Sequence, residues 1–237
     1  MEKRVKDLTF GRALIIGAGP GISASLARRL SSLGVVVSLG ARDVEKLAPL
    51  TEETGARAYR VDAANPEAMA SLFDQVARET GEPDVVVFNA AAPLRGSLDQ
   101  LDPRAVEKSI ATTAFGGFLA VHHAAKRMVP AGRGAILLTG NSASVKGFAN
   151  SATFAMGKFA RRGLAQSAAR ELGPKGIHVA HIVVDGFIRS AARPDPEDAP
   201  DSTLDPDDIA QSYVDLLCQP RSAWADELML RPWVERF

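Results

Sequence analysis

The chain has 237 residues, 46% of them apolar, with 28 Lys+Arg against 28 Asp+Glu and a formal charge of zero. That is enough apolar sequence for a full core in one domain spanning 1–237, and a balanced charge without basic runs interleaved with aromatics argues against a nucleic-acid partner. Cys218 is the only cysteine, which excludes an internal disulfide and any multi-cysteine metal site and leads us to expect a reducing, cytoplasmic setting.

The amino-terminal MEKRVKDLTF lacks the apolar core of a signal peptide. The longest apolar runs, such as ALII and VVVF, fall far short of the about 20 residues needed to span a bilayer, so no membrane partner is expected. From there the chain alternates short apolar runs with segments of helical period. A strand over 12–16 leads through GAGPGIS into a helix over 22–33, where Ile22, Leu26, Leu30 and Leu33 share one face. Strand 35–39 and helix 44–54 follow, then strand 56–61, helix 66–80 and strand 85–88. A long helix over 103–128, strand 135–138, helix 152–172, strand 178–184, helix 206–218 and strand 227–230 complete the series. Asp43 and Asn65 stand at N-cap positions, and Pro66, Pro103 and Pro206 at first-turn positions. Most strands are apolar continuously, as strands covered on both faces should be. The fold class is α/β: a doubly wound parallel sheet of about seven strands with helices on both faces and ligands at the strands' carboxyl ends.

Two segments break the rhythm. Residues 190–205, SAARPDPEDAPDSTLD within a Pro- and Asp-rich run, have no apolar periodicity and read as a mobile loop, a candidate lid over the strand ends. In the tail, 219–237, Trp224, Trp233 and Phe237 are more apolar than a free end requires and are expected to pack on the core or on a partner subunit.

Gly17, Gly19 and Gly21 follow the first strand and open the first helix. They can take positive φ and leave no Cβ between a pyrophosphate and the N–H groups of the helix terminus, so this unit points to a dinucleotide. At the end of the second strand SLGARD offers Arg42 where an acidic residue would bind ribose hydroxyls. A guanidinium suits a 2′-phosphate, which favours NADP(H) over NAD(H).

These motifs, with others in order and near the right spacing, resemble the short-chain dehydrogenase/reductase family over essentially the whole chain. Its G-x-x-x-G-x-G turn is matched by Gly17 and Gly21, with Ile22 next and Ser23 at the third glycine. Its Asp after the third strand, which meets the adenine, is matched by Asp62, followed by Ala63. Its N-N-A-G is matched loosely by FNAAAP, where Asn89 and Ala90 hold and Phe88 and Ala91 depart. Its P-G turn beside the nicotinamide is matched by VDGFIRS: Gly186, Ile188 and Ser190 fit, and Asp185 replaces the proline. The resemblance implies a Rossmann-type fold, a small-molecule substrate, and a homodimer or homotetramer paired through helices 103–128 and 152–172.

The family works with Asn, Ser, Tyr and Lys. The tyrosine exchanges a proton with the substrate oxygen, the serine orients that oxygen, the lysine binds the ribose and lowers the phenol pKa, and the asparagine holds a water in the proton path. Carried over, the lysine is Lys158 and the tyrosine position is Phe154, which has no hydroxyl. The serine position is Asn141 by spacing, with Ser142 next to it, and the asparagine position is best matched by Thr113. Two readings stay open: an oxidoreductase working without the usual tyrosine, or a dinucleotide-binding sensor or assembly partner with impaired catalysis. GNSAS resembles a hydrolase elbow, but Ser144 occupies its second glycine position. His122 and His123 are adjacent on a helix, while His178 and His181 point to opposite faces of a strand, so no metal site is expected.

Overall fold

The computed structural model describes residues 8–235. Seven strands form one parallel sheet in the order β3-β2-β1-β4-β5-β6-β7: β1 Arg12–Ile16, β2 Val36–Ala41, β3 Arg57–Arg60, β4 Val85–Phe88, β5 Gly134–Asn141, β6 Ile177–Val184 and β7 Glu227–Leu230. The helices are α1 Ile22–Ser32, α2 Ala48–Thr54, α3 Pro66–Thr80, α4 Pro103–Ile110, α5 Gly116–Ala131, α6 Ala152–Leu172 and α7 Pro206–Leu217. Alternate residues of each central strand enter separate apolar layers. Ile15, Val37 and Ile182 pack with Leu26, Leu30 and Tyr213 of α1 and α7, whereas Leu14, Val86 and Ile136 pack with Phe73, Leu119 and Ala165 of α3, α5 and α6. Because all strands run parallel, Ile16, Ala41, Phe88, Asn141 and Val184 end at one edge of the sheet, and chain order reverses between β1 and β4.

Several expectations need correction. The helix expected over 44–54 begins as a 3-10 turn, Glu45–Leu47, and becomes α-helical only at Ala48, with Pro49 in the first turn. Asp43 stands one residue before the N-cap of that turn, Val44, with the Glu45 and Lys46 backbone N–H groups turned to its side chain. Its carboxylate meets Lys46 Nζ at 3.1 Å, and the hydrogen bond from that ammonium holds the carboxyl below its ordinary range. Asn65 does cap α3, accepting from Ala68 N, while Asp102 and Asp205 cap α4 and α7, so each of these acceptors stands just before a first-turn proline.

The helix expected over 103–128 is interrupted by a π-helical turn, Ala111–Phe115, and then runs on to Ala131. Such turns form where a side chain or close contact disturbs the i→i−4 ladder. Here Thr113 O is drawn sideways to a guanidinium, and Gly116 lies so near the loop after β3 that a Cβ would stand 2.7 Å from Ala63 O.

The segment 190–205 is not a free excursion. Arg189 meets Asp195, Asp201 and Asp205 at 3.1, 3.5 and 3.2 Å, and Asp195 also accepts from the Thr203 and Asp201 N–H groups. In the tail, Trp224 stacks on His178 with ring centroids 4.8 Å apart. Trp233 is 81% exposed and does not pack on the core, and Phe237 lies outside the described residues. No helix among the described residues is long and apolar enough to cross a membrane.

Candidate active site

At the switch point between β1 and β4 a cleft of about 270 Å³ is lined by Gly17, Arg42, Asp62, Ala63, Asn89, Ala90 and Ala91, all expected cofactor residues, together with parts of β1, β2 and Thr112. Gly17 takes φ +87° and the Ala90 backbone lies against it: a Cβ would stand 2.2 Å from Ala90 N. The same turn is pinned by Gly17 N and Ala18 N, both donating to Gly40 O. Gly21, at φ +84°, turns the chain into α1, whereas Gly19 is neither strained nor crowded.

Ser23 and Asn89 meet each other. Asn89 Nδ2 donates to Ser23 Oγ at 2.7 Å, and Ser23 Oγ donates to Gly17 O at 3.3 Å, so they tie the glycine turn to the end of β4. Their side chains brace the cleft, and Ile22 sits in the core, so Ile22 and Ser23 offer a ligand only their backbone. Asp62 Oδ1 accepts from Ala64 N. Arg42 stands exposed on the rim with no carboxylate partner among the described residues.

The other half of the site gathers at the ends of β4, β5 and β6, against α6. Lys158 is buried. Its Nζ donates to Thr139 O at 3.1 Å and lies 5.4 Å from the Phe154 ring centre, one helical turn away. Burial first, and then the Arg161 guanidinium, hold its pKa well below the ordinary lysine value. Asn141 ends β5 and Ser142 follows it, both half-buried at the strand-end edge. Thr113 is buried: its hydroxyl accepts from Ala92 N and its carbonyl from Arg161, so neither is turned to solvent. Ser144 is fully buried and its Oγ accepts from Asn141 N, which removes the elbow reading. Gly186, at φ +154°, packs on Pro232, while Ile188 and Ser190 pair with Leu204 and Arg193. These three stand beyond β6 and do not line the cleft.

Sequence reasoning overlooked Arg161. Its signal was available, since Arg161 shares the buried face of α6 with Gly157, Ala165, Ala168 and Leu172 at helical spacing. The neighbouring His181 was read only as a failed metal ligand. It is buried with Nδ1 3.1 Å from Glu227 Oε2, and Arg162 forms a two-pronged pair with the same carboxylate at 2.7 Å.

Residues 12–198 match the family model for short chain dehydrogenase. The chain is 34% identical to cis-4-hydroxycyclohexanecarboxylate dehydrogenase of Sinomonas cyclohexanicum over 180 residues, 74% of this chain and 72% of that one. It is 32% identical to the cyclic-di-GMP-binding biofilm dispersal mediator protein of Escherichia coli (strain K12) over 188 residues, 76% of this chain and 74% of that one. Among solved structures, a metagenomic short-chain oxidoreductase in complex with NADP superposes with a TM-score of 0.84 at 29% identity, covering 97% of this chain and 100% of that one. A short-chain dehydrogenase from Rhodopseudomonas palustris gives 0.81 at 33%, covering 94% and 99%.

Proposed function

The chain belongs to the short-chain dehydrogenase/reductase family of oxidoreductases, and on that premise we propose that it transfers hydride between NADP(H) and a small carbonyl or conjugated substrate. The observation that carries this reading is the Gly17 turn: a positive-φ glycine pressed on the Ala90 backbone in the wall of the switch-point cleft, where a Cβ would collide with Ala90. A bound nicotinamide dinucleotide supplies the hydride. The chain's own part is to hold it. The N–H groups of Gly19, Gly21 and the start of α1 meet the pyrophosphate, and Asp62 and Ala63 the adenine. Asn89, Ala90, Ala91 and Lys158 flank the far ribose, and Gly186, Ile188 and Ser190 the nicotinamide. Arg42 supports NADP(H), because it stands free on the rim and Asp43, the nearest acid in sequence, is engaged with Lys46.

Asn141 or Ser142 orients the substrate oxygen. Phe154 cannot protonate it, and a positioned donor is typically worth about 10²–10⁴-fold in rate. A substrate whose hydride-accepting carbon is conjugated to a carbonyl takes its proton from solvent and needs no such donor, which is why conjugated acceptors rank beside ketones. The half-exposed Phe115, Phe118 and Phe159 on the π turn, α5 and α6 support pairing with a second copy of the chain.

The alternative, a dinucleotide-binding sensor with impaired catalysis, is favoured by Phe154 itself. Turnover separates the two. Purified protein is incubated with NADPH and a panel of ketones, quinones and enones beside Phe154→Tyr and Lys158→Ala. We expect wild-type NADPH oxidation that Lys158→Ala abolishes, which excludes the sensor; an inert wild type with activity only in Phe154→Tyr excludes the enzyme.

A further inference from the structure

Arg161 is fully buried, yet hydride transfer as described gives it no part. A guanidinium away from water is costly unless every donor is satisfied. No carboxylate among the described residues faces it; burial lowers its pKa to about 9, which leaves it protonated at neutral pH. What satisfies it is backbone. Nη1 donates to Thr139 O at 2.7 Å, Nε and Nη2 donate to Thr113 O at 3.1 and 2.7 Å, and Nη2 also donates to Ala90 O. The Phe88 ring covers the guanidinium, 4.6 Å from its central carbon. Gly157 makes the approach possible: a Cβ there would stand 2.9 Å from the Thr113 side chain and push the π turn off α6.

The three carbonyls belong to three segments with no hydrogen-bonded ladder joining all of them: the loop after β4, the π turn and β5. Those segments carry Asn89–Ala91, Thr113 and Asn141–Ser142, and Lys158 shares Thr139 O with Arg161. Arg42 and Asp62 stand on the other side of the cleft, at the ends of β2 and β3.

We infer that Arg161 is a positioning residue that fixes the spacing of these three segments and so sets the grip on the nicotinamide half of the dinucleotide, independently of the adenine half. A planar fork whose donors are fixed and spread over three nitrogens can do this, whereas the three donors of an ammonium radiate from one nitrogen and hold separated carbonyls less rigidly. The inference rests on the dinucleotide reading, and its test separates the two.

NADPH and adenosine 2′,5′-bisphosphate, which lacks the nicotinamide half, are titrated against wild type, Arg161→Met and Arg161→Lys well below their melting temperatures. We expect Arg161→Met to weaken NADPH by at least about tenfold while the bisphosphate changes by less than about threefold, and Arg161→Lys to recover part of the loss. General loosening would weaken both ligands alike, so equal losses, or none, overturn the inference. If Arg161→Met fails to fold, the same ratio is read from Arg161→Lys; failure of both to fold assigns Arg161 to folding alone and also overturns it. A wild type that binds neither ligand overturns the dinucleotide reading instead.

Discussion

The two halves of the cleft are built by opposite means. On the β1–β3 side the work falls to close backbone packing and short side chains: Gly17 presses on Ala90 of the loop after β4, the Ser23 and Asn89 side chains tie the turn to that loop, and the one free cation among the named cleft residues, Arg42, stays in solvent. On the β4–β6 side two basic side chains, Lys158 and Arg161, are driven below the surface onto a shared carbonyl, and the Phe154 ring lies 5.4 Å from Lys158 Nζ. The first half can bind a ligand part common to many proteins with little side-chain chemistry. The second depends on which basic groups are buried and how they are satisfied.

The contrast can be broken hardest at its backbone half. Gly17→Ala places a Cβ on the Ala90 backbone and strains a positive φ, so we expect a lower melting temperature and at least a roughly 100-fold loss of NADPH affinity by fluorescence titration. An affinity near wild type would mean that Ala90 can retreat. Arg42→Ala should cost NADP about tenfold and leave NAD unchanged, read from the ligand-induced rise in melting temperature at equal concentrations. Equal effects on both would remove Arg42 from cofactor choice.

The smallest effect concerns Lys158. Its pKa is lowered on folding, so between that lowered value and the ordinary value of about 10.4 the unfolded chain binds more protons than the folded one. Stability therefore rises with pH across that window and is independent of this group below it. Lys158→Met should remove this part of the slope when urea unfolding at pH 7 and pH 9.5 is compared with wild type. An unchanged slope would show that Lys158 titrates alike in both states.

Much of this was legible in the chain. The continuous apolar runs placed β1 and β4 at their observed bounds, because strands buried on both faces carry the strongest pattern; β7, a half-buried edge strand, also falls at its expected bounds. Gly17 was legible for a different reason, since it sits where a strand ends and the chain turns, while Asp62 and Asn89 were legible only through the family resemblance; the three line one cleft. Asp43 was placed one residue off because the first turn is 3-10 with Val44 at its N-cap, and the α-helix starts only at Ala48. The π turn escaped notice because its causes lie elsewhere in the sequence: Arg161 is 48 residues from Thr113, and nothing local marks the meeting. Arg161 shows the limit of periodicity, which can put a charge on a buried face but cannot name the carbonyls that make it tolerable.

The tail has a practical consequence. Trp224 and Trp233 are the only tryptophans, and they sit in unlike places. Trp224 lies face to face with an imidazole near the amino end of β6, while Trp233 stands in water beside Arg189 and the ion-paired loop. Their emission should therefore separate into a shielded, quenched component and a red-shifted one open to iodide, so the molecule carries an optical label at each end of its sheet without any dye.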